Sequence, residues 1–186
     1  GVDRAVVVVA PGTEADFEAA IADSAIAAGY VFGGDDRAAS VEAGLTAVAG
    51  DPHLDKSRWV LVHDAARALV PGDVAARVIA ALREGARGVV PVMPVVDTVR
   101  QLTPDGSVVI DRSRLRLVQT PQGFERSLLV EALRHARETG LEITDDASAV
   151  AALGEPIVLV EGSRDALKVT EPLDLVLAEA IERSRR

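Results

Sequence analysis

Cysteine is absent from this 186-residue chain, which excludes a disulfide framework and a thiolate zinc site. Aromatic residues make up only 3% of it, so its core must be aliphatic, built from Val, Ala and Leu. Lysine is scarce: Lys56 and Lys168 are the only two, and Arg carries nearly all the positive charge. An excess of basic residues is also missing. The formal net charge of −9 argues against nucleic acid as a partner, because such proteins carry a basic footprint. Phosphate-bearing small molecules stay open, since a few local Lys and Arg side chains can hold them. The three histidines, His53, His63 and His135, show no metal-ligand spacing. No apolar run approaches the ~20 residues of a membrane span, and no signal peptide precedes the first strand. The expectation is a soluble cytoplasmic protein with no membrane partner.

What is present is an alternation of strands and helices. Apolar residues form 48% of the chain, enough for one domain with a sizeable core, so residues 1–186 are read as a single domain. The β-branched run at residues 5–10, closed by Pro11-Gly12, reads as a strand covered on both faces. A helix is expected over 14–28 behind Thr13, then a short strand at 30–32, the loop Gly33-Gly34-Asp35-Asp36 and a helix over 37–49. A strand at 59–63, a helix to about 84 and a strand at 88–93 follow. This order implies right-handed crossovers and a Rossmann-like α/β fold, with a mostly parallel sheet between helices. The rhythm changes at Pro94: residues 97–102 and 107–110 flank a Pro-Asp-Gly turn and read as an inserted β-hairpin arm, at about 95–117. If the stretch after it is extended, Arg112, Arg114 and Arg116 share one face. Residues 120–123 break the chain. Leu128, Leu129, Ala132, Leu133 and Ala136 then mark the apolar side of a helix over 125–139. A short helix at 145–152, a strand at 157–161 and a last helix at 171–183 complete the pattern.

Several residues sit where chemistry is expected. Asp64 ends the strand W-V-L-V-H, and ligands of open α/β sheets bind beyond the carboxyl ends of strands. An acid there can hold a divalent metal or a sugar hydroxyl, or simply cap the next segment. Arg67 can reach the same cleft or be a solvated charge, and His63 beside it reads as a packing or hydrogen-bonding residue. Gly33-Gly34-Asp35 precedes a helix, where a ligand can approach the backbone closely and anions are favoured. Ser40 lies one turn inside that helix. Lys168, rare in kind and at the end of a short extended piece, offers a compact charge for a phosphate. Thr98, Thr120 and Thr144 each stand at a break in regular structure, where threonines cap helices or donate to phosphate oxygens.

Six ordered blocks resemble one family. They are G-G-D-D-R-A-A-S-V-E-A-G-L (33–45), V-L-V-H-D-A-A-R (60–67), P-V-V-D-T-V (94–99), T-P-Q-G-F (120–124), T-D-D-A-S (144–148) and V-E-G-S-R-D-A-L-K-V-T-E-P-L-D-L (160–175). The chain is similar to the 2-C-methyl-D-erythritol 4-phosphate cytidylyltransferases of non-mevalonate isoprenoid biosynthesis. The resemblance implies a nucleotide-diphospho-sugar transferase-like fold and a nucleotidyltransferase that joins CTP to methylerythritol phosphate with loss of pyrophosphate. It implies magnesium or another divalent cation as cofactor, and a homodimer in which the hairpin arm reaches the partner's site. Carried over by residue, Gly34, Asp35 and Ser40 become cytosine-recognition positions, and Asp64 and Ala65 ribose and metal-side positions. Arg67, Thr98, Thr120 and Thr144 become methylerythritol-phosphate contacts. Arg112 positions the attacking phosphate from the arm, and Lys168 is the cation beside the α-phosphate. Lys168, Arg112 and Asp64 form the catalytic set.

One departure stands out. The family opens with a strand and a glycine-rich loop carrying an Arg and a following Pro-Lys, which wraps the triphosphate, and no such loop is found here. The expectation is an N-terminal segment missing from this sequence, so that the chain as it stands binds CTP poorly and turns over little. Rival readings are a ribitol-5-phosphate-type cytidylyltransferase and a non-catalytic nucleotide-binding module; fusion to a second pathway enzyme is also open.

Overall fold

The computed structural model describes residues 2, 4–22, 24 and 26–185. In chain order its elements are β1 (Arg4–Val9), α1 (Glu14–Ile21), β2 (Ala27–Phe32), α2 (Arg37–Gly50), β3 (Trp59–Val62), α3 (Gly72–Arg83), β4 (Gly88–Pro94), β5 (Val99–Thr103) and β6 (Gly106–Ile110). A 3-10 turn (Arg112–Arg114) leads to β7 (Arg116–Val118), β8 (Gln122–Glu125), α4 (Arg126–Thr139), α5 (Asp146–Ala152), β9 (Val158–Glu161) and α6 (Pro172–Ser184). The fold is α/β. No helix among the described residues is long and apolar enough to cross a membrane.

The chain divides into two compact units, residues 1–60 with 124–156, and residues 61–123 with 157–186. In the first unit β1 and β2 run parallel, in register from Arg4 opposite Ala27 to Val9 opposite Phe32. Helix α2 packs on this pair, and α4 packs on α2 and α5. The five apolar positions read from the sequence of α4 are all buried, joined by Phe124, Ala149 and Val150. A left-handed Gly140 ends α4, its N–H bonded to the Arg137 carbonyl.

In the second unit β4 lies in a sheet ordered β3-β8-β4-β7, with β9 also on β4; the chain passes between the units within β3 and β8. β4 pairs with β9 in parallel and with β7 antiparallel. Its Val89, Val90 and Val92 are buried, as are Val74, Val78 and Leu82, which recur at helical spacing on α3. Gly123 sits against that helix: a Cβ there would meet Val78 Cγ1 at 2.4 Å and Leu82 Cδ1 at 2.9 Å. β5 and β6 form a separate antiparallel hairpin, Thr103 opposite Gly106, whose Leu102 and Val109 are exposed.

Three local expectations need correction. Helix α1 stops at Ile21, because the alanines at 27 and 28 are taken into the β1–β2 ladder rather than into a helix. The break read at 120–123 turns at once into strand β8, whose Gln122 and Phe124 are almost wholly buried. The three arginines do not share one extended face. Arg112 and Arg114 lie in a 3-10 turn capped by Asp111, with about three residues per turn, and only Arg116 opens a strand.

Candidate functional site

β3 delivers its carboxyl end at Val62, and the chain then turns: the Arg67 N–H donates to the Asp64 carbonyl at 2.9 Å, and the Val70 N–H to the Arg67 carbonyl at 3.1 Å. The turn presents the Asp64 carboxylate to two cations. Lys168 Nζ is 3.1 Å from Asp64 Oδ2, and Arg67 Nε is 3.7 Å from the same oxygen. Lys168 arrives from a segment far along the chain, pinned beside the turn where the Val169 N–H donates to the Ala66 carbonyl at 2.8 Å. The amide of Gln119, a buried side chain, bonds both ways with the Ser163 main chain and holds the start of that segment.

Arg67 is more enclosed than a free phosphate ligand. Its guanidinium donates to the Ala166 carbonyl at 2.8 Å and to the Val118 carbonyl at 3.3 Å, tying β7 to the Lys168 segment. Burial lowers its pKa, opposed by the Asp64 charge, and it remains a cation at neutral pH. Thr120 is buried. Its Oγ1 accepts the Asp64 N–H at 3.0 Å and lies 2.8 Å from His63 Nδ1. Partial burial of the His63 ring lowers its pKa; the Asp64 charge and a hydrogen bond with the Arg67 backbone oppose this, and the Arg67 charge adds to it. Ala65 faces a hollow of about 350 Å³ against Leu175 and Ala178 of α6, with Glu179 and Glu182 on its wall, a poor surface for an anion.

In the first unit, β2 ends in Gly33-Gly34. A Cβ on Gly33 would come 2.8 Å from Ser40 Oγ, and one on Gly34 2.5 Å from the Ala39 Cβ, so both positions require glycine for close approach to α2. Asp36 caps α2, its Oδ1 accepting the Ala39 N–H at 2.7 Å, which leaves the neighbouring Asp35 exposed. Thr144 is likewise exposed, because Asp145 and not Thr144 caps α5, in a reciprocal box with Ser148. The next residue, Asp146, is fully buried and bonded to Arg37 Nη2 at 2.7 Å, which joins the start of α2 to the start of α5.

The structure therefore gathers Asp64, Ala65, Arg67, Thr120 and Lys168 into one cluster of the second unit, and in the first sets the Gly33-Gly34 loop against the first turn of α2, where Ser40 stands. Thr98 and Arg112 flank the hairpin, both exposed, with the Arg112 guanidinium on the Val96 carbonyl of the same arm. The reading of the residues did not single out Arg37, Gln119 or Asp146. The only sequence signal for Asp146 is the doubled Asp before a helix, where one acid suffices for the cap.

Among the described residues no group of three or more His, Cys, Asp or Glu side chains is placed to hold a metal. Asp64 is the acid of its cluster. A single carboxylate completed by substrate phosphates suits magnesium, which keeps several waters and rarely uses an all-protein cage. The Asp64 carboxylate is a hard oxygen donor of the kind such an ion accepts.

The family model described as 2-C-methyl-D-erythritol 4-phosphate cytidylyltransferase matches residues 1–184. Proteins of that name from Streptomyces coelicolor and Thermus thermophilus are 49% and 50% identical over 162 and 158 residues, each match covering 83% of this chain. The chain spans between 57% and 64% of the length of the first four such relatives, and 69% of the Thermus protein. The crystal structure of the enzyme of that name from Thermus thermophilus superposes with a TM-score of 0.80 at 43% identity, covering 97% of this chain and 82% of that one.

Proposed function

Because the chain belongs to the 2-C-methyl-D-erythritol 4-phosphate cytidylyltransferase family, we propose that the full-length protein transfers the cytidylyl group of CTP to methylerythritol phosphate. A phosphate oxygen of the alcohol attacks the α-phosphorus, the bond from that phosphorus to the bridging oxygen breaks, and pyrophosphate leaves with the electron pair. The observation that carries this reading is the match along nearly the whole chain, and the Asp64–Lys168 pair at a strand end supports it.

The reaction brings two anions together on a protein that is itself acidic, so positioning and local charge do most of the work. Lys168 is exposed enough to leave Asp64 for a phosphate, and its point charge can follow the negative charge that builds at the α-phosphate. Arg67 keeps the Lys168 segment in place through the Ala166 carbonyl and adds positive potential beside Asp64. Asp64 would hold magnesium, which supplies charge neutralisation on the phosphates when bound. In the first unit the Gly33-Gly34 loop, Asp35 and Ser40 serve the cytosine and Thr144 the alcohol; in the second, Thr98 serves the alcohol. The hairpin, with its exposed Leu102, Val108 and Val109, serves as the arm of a homodimer and carries Arg112 to the partner's site. In this reading the fold is Rossmann-like, a mostly parallel sheet covered by helices.

Pyrophosphate release by the full-length protein, measured with CTP, magnesium and either methylerythritol phosphate or ribitol 5-phosphate, tests the proposal. Release with methylerythritol phosphate is expected. A preference for ribitol phosphate would move the chain to the other alcohol, and CTP binding without release from either would make it a binding module.

A further inference from the structure

Thr120 has one hydroxyl proton and two partners. Its oxygen accepts the Asp64 N–H at 3.0 Å, so that contact takes a lone pair and leaves the proton for elsewhere. His63 Nδ1, 2.8 Å away, is the second partner. With the ring proton on Nε2, Nδ1 is an acceptor for that hydroxyl proton. We propose that His63 is a positioning residue: its Nδ1 takes the Thr120 O–H, Thr120 takes the Asp64 N–H, and this brace fixes the backbone that aims the Asp64 carboxylate at Lys168.

The proposal deepens the cytidylyltransferase reading and rests on it for its kinetic consequence. It also changes the part given to Thr120. A buried hydroxyl whose proton is committed to His63 cannot at the same time donate to the phosphate of the alcohol, so Thr120 acts through Asp64.

The brace is tested without substrate by nitrogen-15 NMR of the histidine rings in the full-length protein, where the His63 signals are assigned from a His63 variant. The expected spectrum shows an unprotonated, hydrogen-bonded Nδ1 on His63 whose resonance moves in Thr120→Val. A proton on Nδ1, or a resonance indifferent to Thr120→Val, overturns the proposal. In turnover, His63→Leu is expected to lower kcat about three- to tenfold, the scale of one lost hydrogen bond, with little change in KM for the alcohol. His63→Asn, whose amide oxygen stands at the δ position, recovers most of that loss. The His63→Leu, Thr120→Val double variant is expected to be no slower than the slower single variant, and additive losses overturn the brace. If Thr120→Val instead raises KM for the alcohol and leaves kcat intact, Thr120 is a substrate contact and the brace fails. If no nucleotidyl transfer occurs with any alcohol, the reading of function fails, and the ring spectrum still decides whether the brace exists.

Discussion

At the scale of single residues, Lys168 carries the largest predicted effect. Removing one charge-stabilising group of this kind typically costs ~10²–10³ in rate. Lys168→Ala is expected to fall by that order in kcat with KM for CTP changed less, in steady-state assays of the full-length protein; unchanged turnover would remove Lys168 from the mechanism. A second residue-level prediction concerns acid. Asp174 Oδ2 accepts the N–H groups of Thr170 and Glu171 at the start of α6, and also the Thr170 hydroxyl. The two backbone bonds, the Thr170 one foremost, and that hydroxyl lower its pKa below the ordinary 3.8. The unfolded chain takes up this proton first as pH falls, so the cap's stabilisation is present above about pH 3.8 and is lost through the lower folded pKa. Thermal melts between pH 5 and pH 2 should show a shallower acid decline for Asp174→Asn than for the parent. Asp64 and Lys168 could be singled out from the sequence because strand-end position and rarity are local properties. Arg67 could be read into the same cleft, but the hydrogen-bond partners were not legible. Thr120 lies 56 positions from Asp64, and nothing local marks Ala166 or Val118 as the acceptors that occupy Arg67.

At the scale of elements, the first unit depends on a buried charge. Asp146 is fully enclosed and Arg37 holds it from the start of α2. Removing Arg37, which is itself 39% exposed, leaves the buried Asp146 without it, at no more than the ~3–5 kcal/mol of a fully buried pair. Arg37→Ala should lose stability within that bound in urea unfolding followed by far-UV circular dichroism, and Asp146→Asn less, because an amide still accepts from Arg37. The second unit depends on a missing side chain. The methyl of Gly123→Ala would press on Val78 and Leu82, an overpacking that typically costs ~1–3 kcal/mol, read as a lower urea midpoint. Helix α4 was fully legible, since its apolar side repeats with the helical period along its length. β7 and β8 were not. Each is three or four residues long, too short for period-two alternation to register, and β8 is buried around a Gln and a Gly that single-residue propensity places outside strands. The same limit explains α1: alanines favour helix in isolation, and pairing with β1 overrides them in β2.

At the scale of the whole molecule, the alternation of strands and helices was enough to reach the α/β class, and the six blocks were enough to reach the family. The antiparallel β7 on β4 lay outside what alternation encodes. The net charge of −9 shapes function at this scale too. On the proposed reading, an acidic chain that binds two polyanions must gather its cations locally, and Lys168 with Arg67 around Asp64 is such a gathering. The central claim is nucleotidyl transfer to a polyol phosphate at that cluster. The most direct measurement is phosphorus-31 NMR of full-length protein with CTP, magnesium and methylerythritol phosphate. The account predicts that the CTP α-phosphorus and the alcohol phosphate disappear together into the two coupled signals of a diphosphate diester, with one pyrophosphate formed per diester. Pyrophosphate with unchanged alcohol phosphate, or spectra that stay those of the starting materials, would contradict it.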